Sequence, residues 1–269
     1  MPKKEWKKTK TIYWKDELHD DFDEVGLSRP EVPANYHYER VNPINRFFSG
    51  ILYHGIAKPV LGLYCVFKGI KIEGRENLKQ LNGRGAFLYA NHVAITDVFK
   101  YQSTLFFFKK RVNIFGYPDS LSIPVVKHMV RALGYLPVPN HGDLKNLIKL
   151  TDACKFYLDK KQFLLIYPEA HIWPYYTKIR NFSSGSFVYP SKYNAPVVPI
   201  VTTWRKPKVG KKPKQTIIVC EPIFPKPELS QNENKMYLYN ECLAAMKRAS
   251  ESREQYEYIK YIKVEEESK

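Results

Sequence analysis

From residue 69 onward, short apolar runs alternate with longer stretches in which apolar residues recur at helical spacing. The runs Ala86 to Ala90 and Phe163 to Tyr167 are apolar throughout, the pattern of strands buried on both faces. Gly69 to Arg75, Val112 to Tyr117, Tyr135 to Val138, Pro196 to Thr203 and Gln215 to Cys220 also read as strands. Between them, Val98 to Phe108, Ile123 to Leu133 and Asp143 to Leu158 read as helices. The last places Leu144, Leu147, Ile148, Cys154 and Leu158 on one face. Ser230 with Glu233 forms a capping box, and Met236, Tyr239, Leu243 and Met246 follow at helical spacing, so a C-terminal helix is expected to pack on the sheet. Strands alternating with helices predict an α/β domain over residues 69–269, with a mixed central sheet flanked by helices.

The first 68 residues break this pattern. Residues 1–42 are polar, with a basic start from Lys3 to Lys10, an acidic run from Asp16 to Glu24, and prolines at 30 and 33 that interrupt any helix. We expect an extended arm packed by Trp6, Tyr13 and Trp14, its basic start facing anionic lipid or solvent. Residues 43–68 are aromatic and aliphatic and approach the roughly 20 apolar residues a bilayer span requires. His54, Lys58 and Pro59 fall in the middle, where a charge is costly and a proline breaks the ladder. Two shorter amphipathic helices lying in one leaflet fit these residues, with Lys58 reaching for headgroups. A soluble helix pair covering the sheet is the competing reading.

Charge narrows the partners. The formal net charge of +16 calls for an anionic partner: a phosphorylated substrate, an anionic membrane surface or nucleic acid. The connection from Arg205 to Lys214 adds six basic residues and no acid, again suited to water or headgroups. No recognition helix or RNP-type aromatic strand is evident, so nucleic acid is not expected. Cys65, Cys154, Cys220 and Cys242 lack CxxC spacing and read as free thiols of a reducing compartment, with no metal site. The start MPKKEWKKTK has no apolar core region, so no secretory signal is expected.

Candidate chemistry lies in Asn91 to Asp97, NHVAITD, between a strand and a helix-compatible segment. Thr96 can cap that helix and put Asp97 in its first turn. If the turn folds back, Asp97 accepts the Nδ1 proton of His92 and leaves Nε2 free as a general base. One HxxxxD pair is a weak signal alone. It gains weight from IYPEAH at Ile166 to His171 and APVVPI at Ala195 to Ile200, which also lie where strands should end.

Together with Phe182-Ser183-Ser184-Gly185, these blocks resemble the 1-acylglycerol-3-phosphate acyltransferases and related glycerolipid acyltransferases, over roughly residues 70–225. The resemblance implies that His92 and Asp97 are the catalytic dyad and that the Tyr167-Pro168-Glu169 block, through Glu169, helps hold the acceptor. It also implies that Gly185 belongs to the substrate-binding set. Where that family continues with Gly-Thr-Arg, this chain has Ala170-His171-Ile172, so the arginine expected on the acceptor phosphate is missing. Lys178 and Arg180, on the same connection, are the cations at hand, and Arg180 is the expected substitute. Likewise, Pro139 stands where an arginine often follows the Gly134 block.

No GxSxG elbow and no GxxxxGK[ST] loop occurs, which disfavours a serine hydrolase and a P-loop enzyme. The resemblance implies O-acyl transfer to a lysophospholipid, 1-acylglycerol-3-phosphate first, on the cytoplasmic face of a membrane. Acyl-CoA or acyl carrier protein would be the donor substrate, with no cofactor. Another lysolipid acceptor, or a non-catalytic membrane-associated protein of the same fold, are the open alternatives.

Overall fold

The computed structural model describes residues 9–22, 30–39, 41–94, 96–97, 100–101, 110–118 and 124–264. Nine strands occur among them: β1 (Thr11–Trp14), β2 (Lys71–Glu73), β3 (Ala86–Ala90), β4 (Val112–Gly116), β5 (Tyr135–Pro137), β6 (Phe163–Ile166), β7 (Val197–Arg205), β8 (Lys214–Val219) and β9 (Lys260–Lys263). The helices are α1 (Pro43–Phe67), α2 (Pro124–Ala132), α3 (Leu144–Asp159), α4 (Val188–Lys192) and α5 (Gln231–Glu251). The helix expected over 98–108 lies almost wholly outside the described residues; Asp97, Lys100 and Tyr101 are helical.

Seven strands form one sheet in the order β2-β8-β7-β3-β6-β4-β5. The expected mixed sheet arises because the basic Arg205–Lys214 connection makes β7 and β8 an antiparallel pair, whereas β7, β3, β6, β4 and β5 run parallel. Alternation along β3 sends Phe87 and Tyr89 to the core under α3 and α5. Ala86, Leu88 and Ala90 go to the opposite core, with Leu78, Leu81 and Tyr101. Burial on both faces is why this strand is apolar throughout.

Two helical stripes differ from expectation. In α3 the buried positions are Asn146, Leu150, Ala153, Cys154 and Tyr157, while Leu144, Leu147 and Ile148 are exposed. Asn146 takes a buried place because its amide donates to Val32 O at 2.9 Å, tying the residue 30–39 segment across the helix. Tyr157 OH does the same to Tyr38 O at 2.7 Å. In α5 the buried stripe is Asn234, Leu238, Cys242 and Met246, and Met236 faces out. The capping box is present, with Ser230 N donating to Glu233 at 2.8 Å and Glu233 N to Ser230 Oγ at 3.3 Å.

Residues 43–67 form one helix rather than two. Asn42 caps it by accepting from Ile44 N at 2.9 Å and Asn45 N at 3.2 Å. Its centre, Ile51–Ala57, is π-helical, and Lys58 N reaches back to Tyr53 O. This wider turn arrives just before Pro59, so the ring and missing N–H of the proline are absorbed without a break. Ser49 Oγ donates to Ala132 O at 2.6 Å, and Tyr53 OH accepts from Val112 N at 2.9 Å, anchoring one face. Lys58 lies on the buried side and does not reach outward as expected. Phe47, Phe48, Val60, Leu63, Val66 and Phe67 are each more than half exposed. By length and composition α1 is able to cross a membrane.

Part of the N-terminal arm joins a second, two-stranded sheet. β1 pairs in parallel with β9, in register Thr11 with Lys260 through Trp14 with Lys263. Trp14 packs on Trp173, as an arm tryptophan was expected to pack, Tyr13 is half-exposed, and the expected anchor Trp6 falls outside the described residues.

Candidate active site

β3 and β6 are neighbours, with Tyr89 opposite Ile166, so the segments leaving their carboxyl ends emerge side by side. One carries Asn91 to Asp97 and the other Tyr167 to Glu169. Asn91 holds the first segment against β7: its amide donates to Thr202 O at 3.1 Å and accepts from Thr202 N at 2.8 Å. Beyond it the chain folds back as the motif requires. His92 Nδ1 lies 3.3 Å from Asp97 Oδ2, the same oxygen that accepts Val93 N at 2.8 Å and Ala94 N at 2.9 Å. Thr96 is exposed, and its carbonyl accepts Lys100 N at 3.2 Å.

Asp97 is fully buried, and Lys100, also fully buried, pairs with its Oδ1. Burial alone would raise the carboxyl pKa. The Lys100 charge and the His92 contacts outweigh it and hold Asp97 below the ordinary carboxylate value. Lys100 Nζ also donates to Thr202 Oγ1 at 3.0 Å, and Tyr101 OH shares that hydroxyl at 2.8 Å. The His92 ring stacks on Tyr167 with centroids 4.2 Å apart, and its side chain is 11% exposed. Nε2 has no hydrogen-bond partner among the described residues, so the site presents one imidazole nitrogen backed by an anionic carboxylate. That arrangement can take a proton from a hydroxyl and return it.

Glu169 and Arg180 do not have the surroundings expected of substrate groups. Glu169 is buried, and its Oε2 accepts His92 N at 3.1 Å while Oε1 accepts Arg180 N at 3.0 Å. Arg180 Nη2 completes the pair to Glu169 at 3.1 Å, and the guanidinium also donates to His171 O and to Glu17 O and lies 4.8 Å from the Trp173 ring centroid. Arg180 is 0% exposed. Expected to present its fork to an acceptor phosphate, Arg180 in this structure spends it on Glu169, which in turn holds the main chain of His92. Burial raises the Glu169 pKa, with Arg180 and the two backbone donors opposing that rise. Lys178 is exposed, three residues beyond Tyr175, whose N–H reaches Val93 O at 3.0 Å. Gly185 is exposed and opens a 3-10 turn, Gly185–Phe187, that packs on β3 through Phe187 against Tyr89 at 4.2 Å.

Trp173 is the residue that sequence reasoning undervalued. It donates its N–H to His92 O at 3.1 Å and its indole Nε1–H to Asp20 O at 2.8 Å. Tyr261 of β9 stacks on it at 5.2 Å and 3°, with Trp14 of β1 at 5.2 Å on another side. Its only sequence signal was an aromatic cluster in a loop beside Glu169. Ala170 in the same loop has φ 61°, the left-handed region that favours the glycine of the resembling family. Lys100 had no signal short of its i,i+3 spacing from Asp97.

The sequence profile of the family described as Acyltransferase matches residues 69–203, half of the chain. Among solved structures, the fold is similar to that of the 1-acyl-sn-glycerophosphate (LPA) acyltransferase PlsC from Thermotoga maritima. That match has a TM-score of 0.54 and 17% identity, and covers 81% of this chain and 87% of that one. No curated protein sequence matches significantly.

Proposed function

The chain belongs to the acyltransferase family, and from that premise we propose that it moves a fatty acyl group from an acyl thioester to the free hydroxyl of a lysophospholipid at a membrane surface. The observation that carries this reading is the buried His92–Asp97 contact, with Nε2 turned away from the carboxylate. The acceptor oxygen attacks the thioester carbonyl carbon while Nε2 takes the hydroxyl proton. The tetrahedral intermediate then collapses, the C–S bond breaks, and the imidazolium returns the proton to the departing thiolate. No protein nucleophile enters, so no acyl-enzyme forms.

The acceptor in this reading is 1-acylglycerol-3-phosphate, giving phosphatidic acid, and the donor is acyl-CoA or acyl carrier protein. Support comes from the motif resemblance and from a chain of net charge +16 facing an anionic substrate. With Arg180 committed to Glu169, the cation proposed for the acceptor phosphate is Lys178, beside Gly185 in the substrate-binding set. We assign the membrane contact to the exposed apolar face of α1 and place the protein on the cytoplasmic face.

Acyl transfer by purified protein in detergent micelles, with a panel of lysolipid acceptors and both donors, tests the reading. His92→Ala is expected to lower turnover by about 10²- to 10⁴-fold, the usual share of a general base. Equal turnover by wild type and His92→Ala would sink the mechanism. Product from another lysolipid alone would move the acceptor.

A further inference from the structure

A cluster of positive charge that the acyl-transfer reading does not use lies at the other end of the sheet. A cavity of about 700 Å³ opens between α1, the start of β4 and the end of α3. Arg46, His54, Lys110, Arg111, Lys160 and Lys161 line it, and no acidic side chain does. The adjoining acid, Asp159, is turned away to Lys155 at 2.7 Å. Lys110 precedes β4 and Gln162 precedes β6, whereas His92 follows β3, and these strands are parallel. The cavity and the dyad therefore sit at opposite ends of these strands, about 15 Å apart along a five-residue strand.

Lys160 and Lys161 suit the C-terminus of α3, where a positive charge meets the helix dipole. Arg46, His54, Lys110 and Arg111 come from other elements, and the Arg111 guanidinium donates to Ala132 O and lies 4.5 Å from the Tyr53 ring centroid. Lys110 Nζ donates to Gly83 O at 2.7 Å and to Arg84 O and lies 5.0 Å from the Phe163 ring centroid, and burial together with the Lys161 charge pushes its pKa down to about 8. Lys161 holds φ 58° in a turn that glycine would fill without strain, so the cation is kept at a conformational cost.

We propose that this cavity is a second anion site, taking the phosphate monoester headgroup of a membrane lipid. A monoester carries more negative charge near neutral pH than a diester headgroup, which matches several cations without an acid. The lipid source is favoured because Phe47 both lines the cavity and lies 65% exposed on the apolar face of α1. The mouth thus opens where that face would meet a bilayer. The proposal rests on α1 lying at the membrane surface and is independent of the dyad chemistry.

Vesicle binding by the full chain tests it at fixed salt, with phosphatidylcholine alone or mixed with equal fractions of phosphatidic acid or phosphatidylglycerol. Phosphatidic acid should bind more tightly than phosphatidylglycerol. Arg46→Glu/Lys160→Glu should weaken phosphatidic acid binding about tenfold. Lys208→Glu/Lys211→Glu, with the same charge change on the β7–β8 connection, should not remove the preference. Lys161→Gly should melt higher and yet bind phosphatidic acid less, an outcome that unfolding cannot mimic. Equal binding of the two anionic lipids, or equal loss in both double reversals, would reduce the effect to net charge and overturn the site. Wild-type binding to phosphatidylcholine reads the α1 contact separately. Saturable inorganic phosphate binding, lost in Arg46→Glu/Lys160→Glu, without a phosphatidic acid preference would make the ligand a free phosphate and overturn the lipid assignment.

Discussion

Asp97 carries the heaviest duty of any single side chain, because its Oδ2 serves His92 and two backbone N–H groups while its Oδ1 faces Lys100. An amide there would keep the size but place a donor where only acceptors fit. Asp97→Asn is expected to lower kcat/KM by about 10²- to 10⁴-fold. The same carboxylate shapes acid stability. With its folded pKa held below the ordinary carboxylate value, the native state binds fewer protons there than the unfolded chain. Its stabilisation is therefore complete above the ordinary carboxylate range and is lost as pH falls through the lower folded value. Acid titration followed by circular dichroism should show a shallower limb in Asp97→Asn. Arg180 gives a second case. Arg180→Met leaves Glu169 buried without its partner and should cost about 3–5 kcal/mol in denaturant melts. The fold-back of His92 on Asp97 was legible in the sequence because both residues lie in one short turn. The burial of Arg180 was not, because its partner Glu17 comes from the N-terminal arm, far off in sequence.

Among the elements, α1 has the clearest division of labour. Ser49 and Tyr53 fix one face to the domain, and the opposite face leaves its phenylalanines and valines uncovered. Phe48→Glu/Val66→Glu should release the protein from neutral vesicles while its melting temperature stays within a few degrees, since neither side chain is buried. Flotation assays would read this directly, and unchanged flotation would remove α1 from the membrane contact. The length and apolar character of this segment were legible, but its continuity was not. A proline within an apolar stretch reads as a break, and nothing in residue spacing announces a π-helical turn placed to absorb it. The α3 stripe failed for a related reason. Asn146 is polar, so periodicity alone excluded it from the buried face, although its hydrogen bond to Val32 O makes burial favourable.

For the whole molecule, the alternating α/β architecture was legible because β3 and β6 are apolar throughout and helical segments separate the parallel strands. The pairing of β1 with β9 was not, since two short, half-polar strands at opposite ends of the sequence carry no mutual signal. That small sheet nevertheless bears on the site, because Tyr261 and Trp14 grip Trp173, and Trp173 holds the His92 carbonyl. Deleting residues 258–269 should lower kcat more than it raises KM, with the 171–176 loop becoming open to limited proteolysis. Intact kinetics in the truncated chain would show that the clamp is dispensable. The clamp also sets an order of events during synthesis. β3, β6 and the loop bearing Trp173 can form while the chain is still being made, but Trp173 is gripped from both sides only after residue 263 is free to reach β1. A nascent chain halted before β9 would hold a folded sheet with a loosely set histidine, so the dyad reaches its final setting only after β9 has been made.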